Sequence, residues 1–183
     1  MNRILFLLLI FSFSCKKPTH RSVNLEKNAS KIDYVQKLKD LNIELPKVTA
    51  PIANYSHITH SGNILYLAGK GPKTESGDYI KGKLGLDLTV KDGYQAARAV
   101  GIQQLAVLQD YLGDLNRIKK ILKVTGMVNA TNTFENHPEV INGFSDLMVE
   151  VFGDKGKHAR AAVGMGSLPR NICVEIDMIV EIY

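Results

Sequence analysis

Apolar residues fall along this chain in two rhythms, and the order of those rhythms sets the expected fold. The clearest one closes the chain. Val174, Ile176, Met178, Val180 and Ile182 share one parity, while Glu175, Asp177, Ile179 and Glu181 take the other. A period of two belongs to a strand buried on one face. A second strand-like run, opened by Lys157-His158-Ala159-Arg160, comes before it, and Leu168-Pro169-Arg170-Asn171 separates the two. Proline fixes its own φ and disfavours helix in the residue before it, so this join is a turn. The two runs are expected to pair as a hairpin.

Upstream, Tyr55–His60 and Ile64–Ala68 read as strands joined by Ser61-Gly62-Asn63, whose Gly and Asn tolerate positive φ. Helical spacing then takes over. Thr89 and Asp92 stand at cap and third position, Ala97, Gly101, Leu105, Leu108 and Leu112 recur along one face, and Gly113 supplies the stop. Small Ala96, Ala97 and Gly101 imply close approach to a sheet. Ile118 to Val128 reads as a strand. Glu139 to Phe152 reads as a second helix, with Val140, Phe144, Leu147, Met148 and Val151 inward. A shorter helix is expected from Ser30, with Ile32, Val35, Leu38 and Leu41 as its stripe and Leu45-Pro46 as its end. The glycine-bearing segment 73–87 has no phosphate-binding spacing and reads as a flexible rim.

The main elements thus run strand, strand, helix, strand, helix, strand, strand. This order suits an α+β layer: one mixed sheet with two helices on a single face. The uncovered sheet face argues for an oligomer.

Composition narrows the function. The chain has 183 residues, 45% hydrophobic and 22% charged, which is the balance of a folded domain. A net charge of +5 with no basic stripe interleaved with aromatics gives no support to nucleic-acid binding. Cys15 and Cys173 stand in unrelated contexts and form no framework; Cys173 reads as a small buried hydrophobe. His57, His60, His137 and His158 lack ligand spacing, so no metal site is expected.

The amino end reads as an address. Arg3 is followed by an apolar run from Ile4 to Phe11, too short for a span of ~20 residues, then Ser12-Phe13-Ser14-Cys15. This resembles a bacterial lipoprotein signal in which Cys15 is lipidated. The expected organisation is a signal peptide over 1–15, a linker plus short helix over 16–49, and the main domain over 50–183. The expected location is exported and membrane-anchored, with the lipid as the only membrane contact.

Ala159-Arg160-Ala161-Ala162-Val163, then Ser167-Leu168-Pro169 and Val174-Glu175-Ile176, resemble the carboxy-terminal signature of the Rid/YjgF family. Pro51-Ile52-Ala53-Asn54-Tyr55, Tyr66-Leu67-Ala68-Gly69-Lys70 and Asn142-Gly143-Phe144 extend the resemblance over about 50–183. It is nearest to the longer chorismate-mutase-like branch labelled endoribonuclease L-PSP. The resemblance implies a chorismate-mutase-like fold, a homotrimer with ligand clefts between subunits, and cofactor-free hydrolysis of enamines and imines to 2-oxo acids and ammonia. It also implies roles for Arg160 and Glu175 in catalysis, and for Tyr55, Arg160 and Asn142 in substrate binding. Two positions depart from the deaminase pattern. Gly164 stands where that branch has Glu, and Ala68 and Lys70 replace its Ser and Gln.

The residues carry their own chemistry. Arg160 offers a planar fork matched to a carboxylate. Glu175 could position a water and move a proton; an Arg160–Glu175 ion pair that merely locks the hairpin is the structural alternative. Tyr55 reads as core packing or a pocket wall, and Lys70 as a solvated lysine or a second anion contact. Three functions stay open: imine deaminase, trimeric binder of a small carboxylate, and ribonuclease, for which no local pattern speaks.

Overall fold

The computed structural model describes residues 32–183, so the apolar run, Cys15, the 16–29 linker and Ser30 lie outside the described residues. In chain order the elements are α1 (Tyr34–Asp40), β1 (Ile58–Ser61), β2 (Ile64–Lys70), α2 (Val90–Leu112), β3 (Ile118–Asn129), α3 (His137–Phe152), β4 (Ala159–Met165) and β5 (Val174–Ile182). Thr89 caps α2 through a complete capping box with Asp92, and Gly113 ends it in the left-handed region at φ 73°.

The five strands lie in the order β1-β2-β5-β3-β4. Every neighbouring pair is antiparallel except β3 and β4, which run parallel. A parallel pair needs a crossover, and α3 supplies it. The expected hairpin between the last two strands is therefore absent, because β3 lies between them. The reason is ladder length. β3 pairs with β5 from Ile118 to Val128, whereas β4 has only seven residues to offer. The alternation along β5 behaves as its sequence requires, with its odd-parity partners half-buried and Val174, Ile176, Met178, Val180 and Ile182 inside.

Helices α2 and α3 cover one face of the sheet. Glycines set their approach. A Cβ at Gly143 of α3 would fall on the Tyr94 carbonyl of α2, and one at Gly126 of β3 would meet the Ile141 side chain. Helix α1 differs from its expected form. Asp33, not Ser30, caps it, and Tyr34 and Leu38 are its buried residues while Ile32 and Val35 are exposed. Tyr34 wins because its ring meets Phe152 of α3 edge-on at 5.2 Å. Tyr34, Leu38 and Ile43 share the core of the sheet and helices, so this segment does not stand apart from it. The 73–87 segment is also pinned rather than a free rim: Leu84 is fully buried and Gly82 N–H donates to the Asn171 carbonyl.

Candidate functional site

Arg160 sits on the edge strand β4, opposite Val124 of β3, which in turn lies opposite Met178 of β5. Paired residues share a face, so Arg160 projects to the helix side. There one nitrogen, Nη1, donates to Asn142 Oδ1 at 2.8 Å and to Ser145 Oγ at 3.0 Å. Asn142 and Ser145 are three apart on α3 and present adjacent acceptors. The chain of bonds goes further. Gly156 C=O accepts from His158 Nδ1 at 2.6 Å, which leaves Nε2 with its lone pair facing Ser145 Oγ at 3.1 Å. Proton positions then follow from the network. Arg160 donates to Ser145, Ser145 donates to His158, and His158 donates to the backbone. Burial pushes the His158 pKa down, the Gly156 bond opposes this, and the neighbouring Arg160 charge adds to the lowering. A neutral imidazole is the form this relay needs.

Arg160 is held by neutral acceptors only. Among the described residues no carboxylate comes within 4.0 Å of it. Its remaining N–H groups keep the geometry that grips a carboxylate.

Glu175 lies elsewhere. It faces Met127 across the β5–β3 ladder and points to the side of the sheet away from the helices. Its carboxylate rests against Gly69, where a side chain would collide with it. Burial raises its pKa, and Asp177 raises it further. No described group donates a hydrogen bond to it. The suggested Arg160–Glu175 ion pair therefore does not exist within one chain. Tyr55 is also not a core residue: it is 46% exposed and meets the edge of the His57 ring at 6.2 Å. Lys70, rather than being solvated, is half-buried with Nζ donating to His57 Nδ1 at 2.7 Å. Tyr55, His57, Gly69 and Lys70 line one groove at the β2 side of the sheet. Cys173 is fully buried and its thiol is pushed up to about 11 by burial, as suits an inert hydrophobe.

Two partial constellations result. One holds Arg160, Asn142, Ser145 and His158 at the β4 edge. The other holds Glu175 against Gly69 of β2, while Tyr55 lies in the groove with His57 and Lys70.

Residues 36–182 match the family described as "YjgF/chorismate mutase-like, putative endoribonuclease". The chain belongs to the YjgF family. It is 42% identical over 146 residues to Protein TCP17 of Trypanosoma cruzi, covering 79% of this chain and 91% of that one. A RutC family protein of Pyrococcus horikoshii is 32% identical over 130 residues, covering 70% and 87%. The crystal structure of Atu1372 from Agrobacterium tumefaciens superposes with a TM-score of 0.75 at 41% identity, covering 82% of this chain and 94% of that one.

For this YjgF-family protein the sequence pointed to Arg160 and Asn142, and the fold brings them into contact. It did not point to Ser145 or to the relay through His158. Ser145 was within reach, because it stands three residues after Asn142 on the same helix face. His158 was visible only as a histidine without ligand spacing.

Proposed function

We propose that this YjgF-family protein is a cofactor-free hydrolase that deaminates small 2-imino acids and their enamine tautomers to 2-oxo acids and ammonia. The observation that carries this reading is Arg160, a positioned guanidinium with no carboxylate of its own. It would take the substrate carboxylate. Asn142, besides fixing Arg160, would border the same ligand.

In this proposal the protein is a trimer, and a cleft between subunits unites the two constellations. Arg160 and Asn142 of one chain would face Glu175 and Tyr55 of its neighbour. Water adds to the iminium carbon while the Glu175 carboxylate takes its proton. That proton passes to the amine nitrogen of the tetrahedral adduct, the freed Glu175 carboxylate takes the adduct's hydroxyl proton as the C–N bond breaks, and ammonia leaves as the 2-oxo acid forms. The raised pKa of Glu175 suits a group that must hold a proton between the two steps. The proposal also keeps Cys15 as a lipid attachment point for an exported protein.

The test is ammonia release from freshly generated 2-iminobutanoate. The wild type should accelerate it, and Arg160→Ala should lower kcat/KM by about a hundredfold, as for the loss of one partner of a buried charge pair. Release no faster than in buffer would overturn the proposal.

One observation favours a second reading, a trimer that binds a small carboxylate without turning it over. The space beside Gly164, where the deaminase pattern has Glu, is taken by the His137 ring. Ligand-dependent stabilisation lost in Arg160→Ala, with no product formed, would establish that reading instead.

A further inference from the structure

Lys70 faces inward because β2 carries one extra residue. Leu67 pairs with Met178 of β5, and the next pair is Lys70 with Ile176. Three steps along β2 match two along β5, so side-chain parity reverses. Without the insertion Lys70 would share the open face with Tyr66. With it, Lys70 joins the face that α2 covers. Gln104 of α2, fully buried, fastens the irregularity: its Nε2 donates to the carbonyls of Ala68 at 3.0 Å and Ile176 at 3.1 Å.

The inward amine enters a groove of about 1070 Å³. Ala99, Ile102 and Ala106 of α2 form one wall, and Leu45, Pro46 and Val48 contribute to the other. Lys73 and His57 line the groove with Lys70; the Lys73 amine lies over the Tyr79 ring at 5.3 Å, and its charge reaches Lys70. His57 Nε2 donates to the Thr49 carbonyl at 2.7 Å, so Nδ1 accepts from Lys70 and the imidazole is neutral. It orients the ammonium without cancelling its charge. Glu44 and Glu75 also line the groove, yet among the described residues no carboxylate forms an ion pair with Lys70 or Lys73. Burial and the Lys73 charge lower the Lys70 pKa to about 8. An uncompensated, partly desolvated charge is costly, and an anion placed there relieves the cost.

We propose that this groove binds a free monocarboxylic acid with an apolar body, of the medium-chain fatty acid class. Its carboxylate sits on Lys70 and Lys73, and its hydrocarbon lies along the apolar wall of α2. Within one chain the site lies apart from Arg160: β5 and β3 intervene between β2 and β4, three strand spacings or about 14 Å.

Calorimetric titration of the full chain with octanoate at neutral pH tests this, with octanol as the uncharged control. Octanoate should bind, and octanol should bind much more weakly. Lys70→Gln should weaken octanoate about tenfold, the worth of one charge-assisted hydrogen bond. Lys70→Arg should restore binding, which separates loss of charge from loss of fold, and both variants should keep the wild-type circular dichroism. No binding of octanoate, or equal binding by wild type and Lys70→Gln, would each overturn the proposal. None of these results depends on imine hydrolysis.

Discussion

Arg160 and Glu175 lie on opposite faces of one sheet, with β3 between their strands. Val124 ties their positions together: it pairs with Arg160 on one side and with Met178 on the other, and Met178 is three residues from Glu175 along a regular ladder. An odd separation on a strand means opposite faces. A single chain cannot close both groups on one small molecule, so chemistry that uses both requires a second copy.

Ser145 and His158 should act as positioning residues for Arg160. Ser145→Ala removes one of two bonds to Nη1 and should lower kcat/KM about tenfold, the lower end for a hydrogen bond made by a charged group, with most of the effect in KM. Steady-state kinetics on 2-iminobutanoate checks this. Unchanged KM would show that Asn142 alone holds the guanidinium.

The depressed His158 pKa predicts a pH effect of definite sign. The folded state disfavours the charged imidazole, so it binds fewer protons than the unfolded chain below the ordinary value of 6.5. Stability from this group is present above that value and is lost as pH falls through the folded pKa. Thermal midpoints measured between about pH 7 and pH 5 should fall less in His158→Asn than in the wild type. Parallel falls in the two proteins would contradict the assignment.

Gly143 is where α2 and α3 touch by backbone. Gly143→Ala should cost about 3 kcal/mol, because the added methyl meets a fixed carbonyl and not a side chain that can turn away. Gly166→Ala adds its methyl to open space and should stay within about 0.5 kcal/mol of wild type. Urea unfolding of the two variants would show whether the contrast holds.

Lys70 should lose its proton near pH 8. Competitive acetylation followed by mass spectrometry gives the titration of this one amine. A midpoint near 8 agrees with its half-buried place beside Lys73, and a midpoint at the ordinary lysine value of 10.5 would place it in solvent.

If Cys15 carries a lipid, Cys15→Ser should move the protein from the membrane fraction to the soluble fraction. Fractionation of cells producing each form is sufficient, and equal membrane association of both would remove Cys15 from the account.

Periodicity made most of the fold legible. The β5 alternation, the Thr89–Asp92 box and Gly113 each report a local interaction, and each appears in the structure where the residues require it. What failed was non-local. The turn at Leu168–Asn171 reads the same whether β5 pairs with β4 or crosses to the far side of β3. Only the competition between ladder lengths decides, and it is not written in either strand. The same holds at the site. Arg160 and Asn142 were readable as chemical types, but the facing of Glu175 depends on sheet order. The inward turn of Lys70 depends on one inserted residue that no local pattern marks.

Mixing two inactive variants tests the shared-site account most directly. Arg160→Ala and Glu175→Ala are unfolded together and refolded as mixed trimers. Random mixing leaves about a quarter of the interfacial sites with an intact Arg160 from one chain and an intact Glu175 from its neighbour. The account predicts that imine hydrolysis returns to roughly that fraction of the wild-type rate, while each variant refolded alone stays inactive. A mixture as inactive as its parents, from variants that assemble normally, would contradict it.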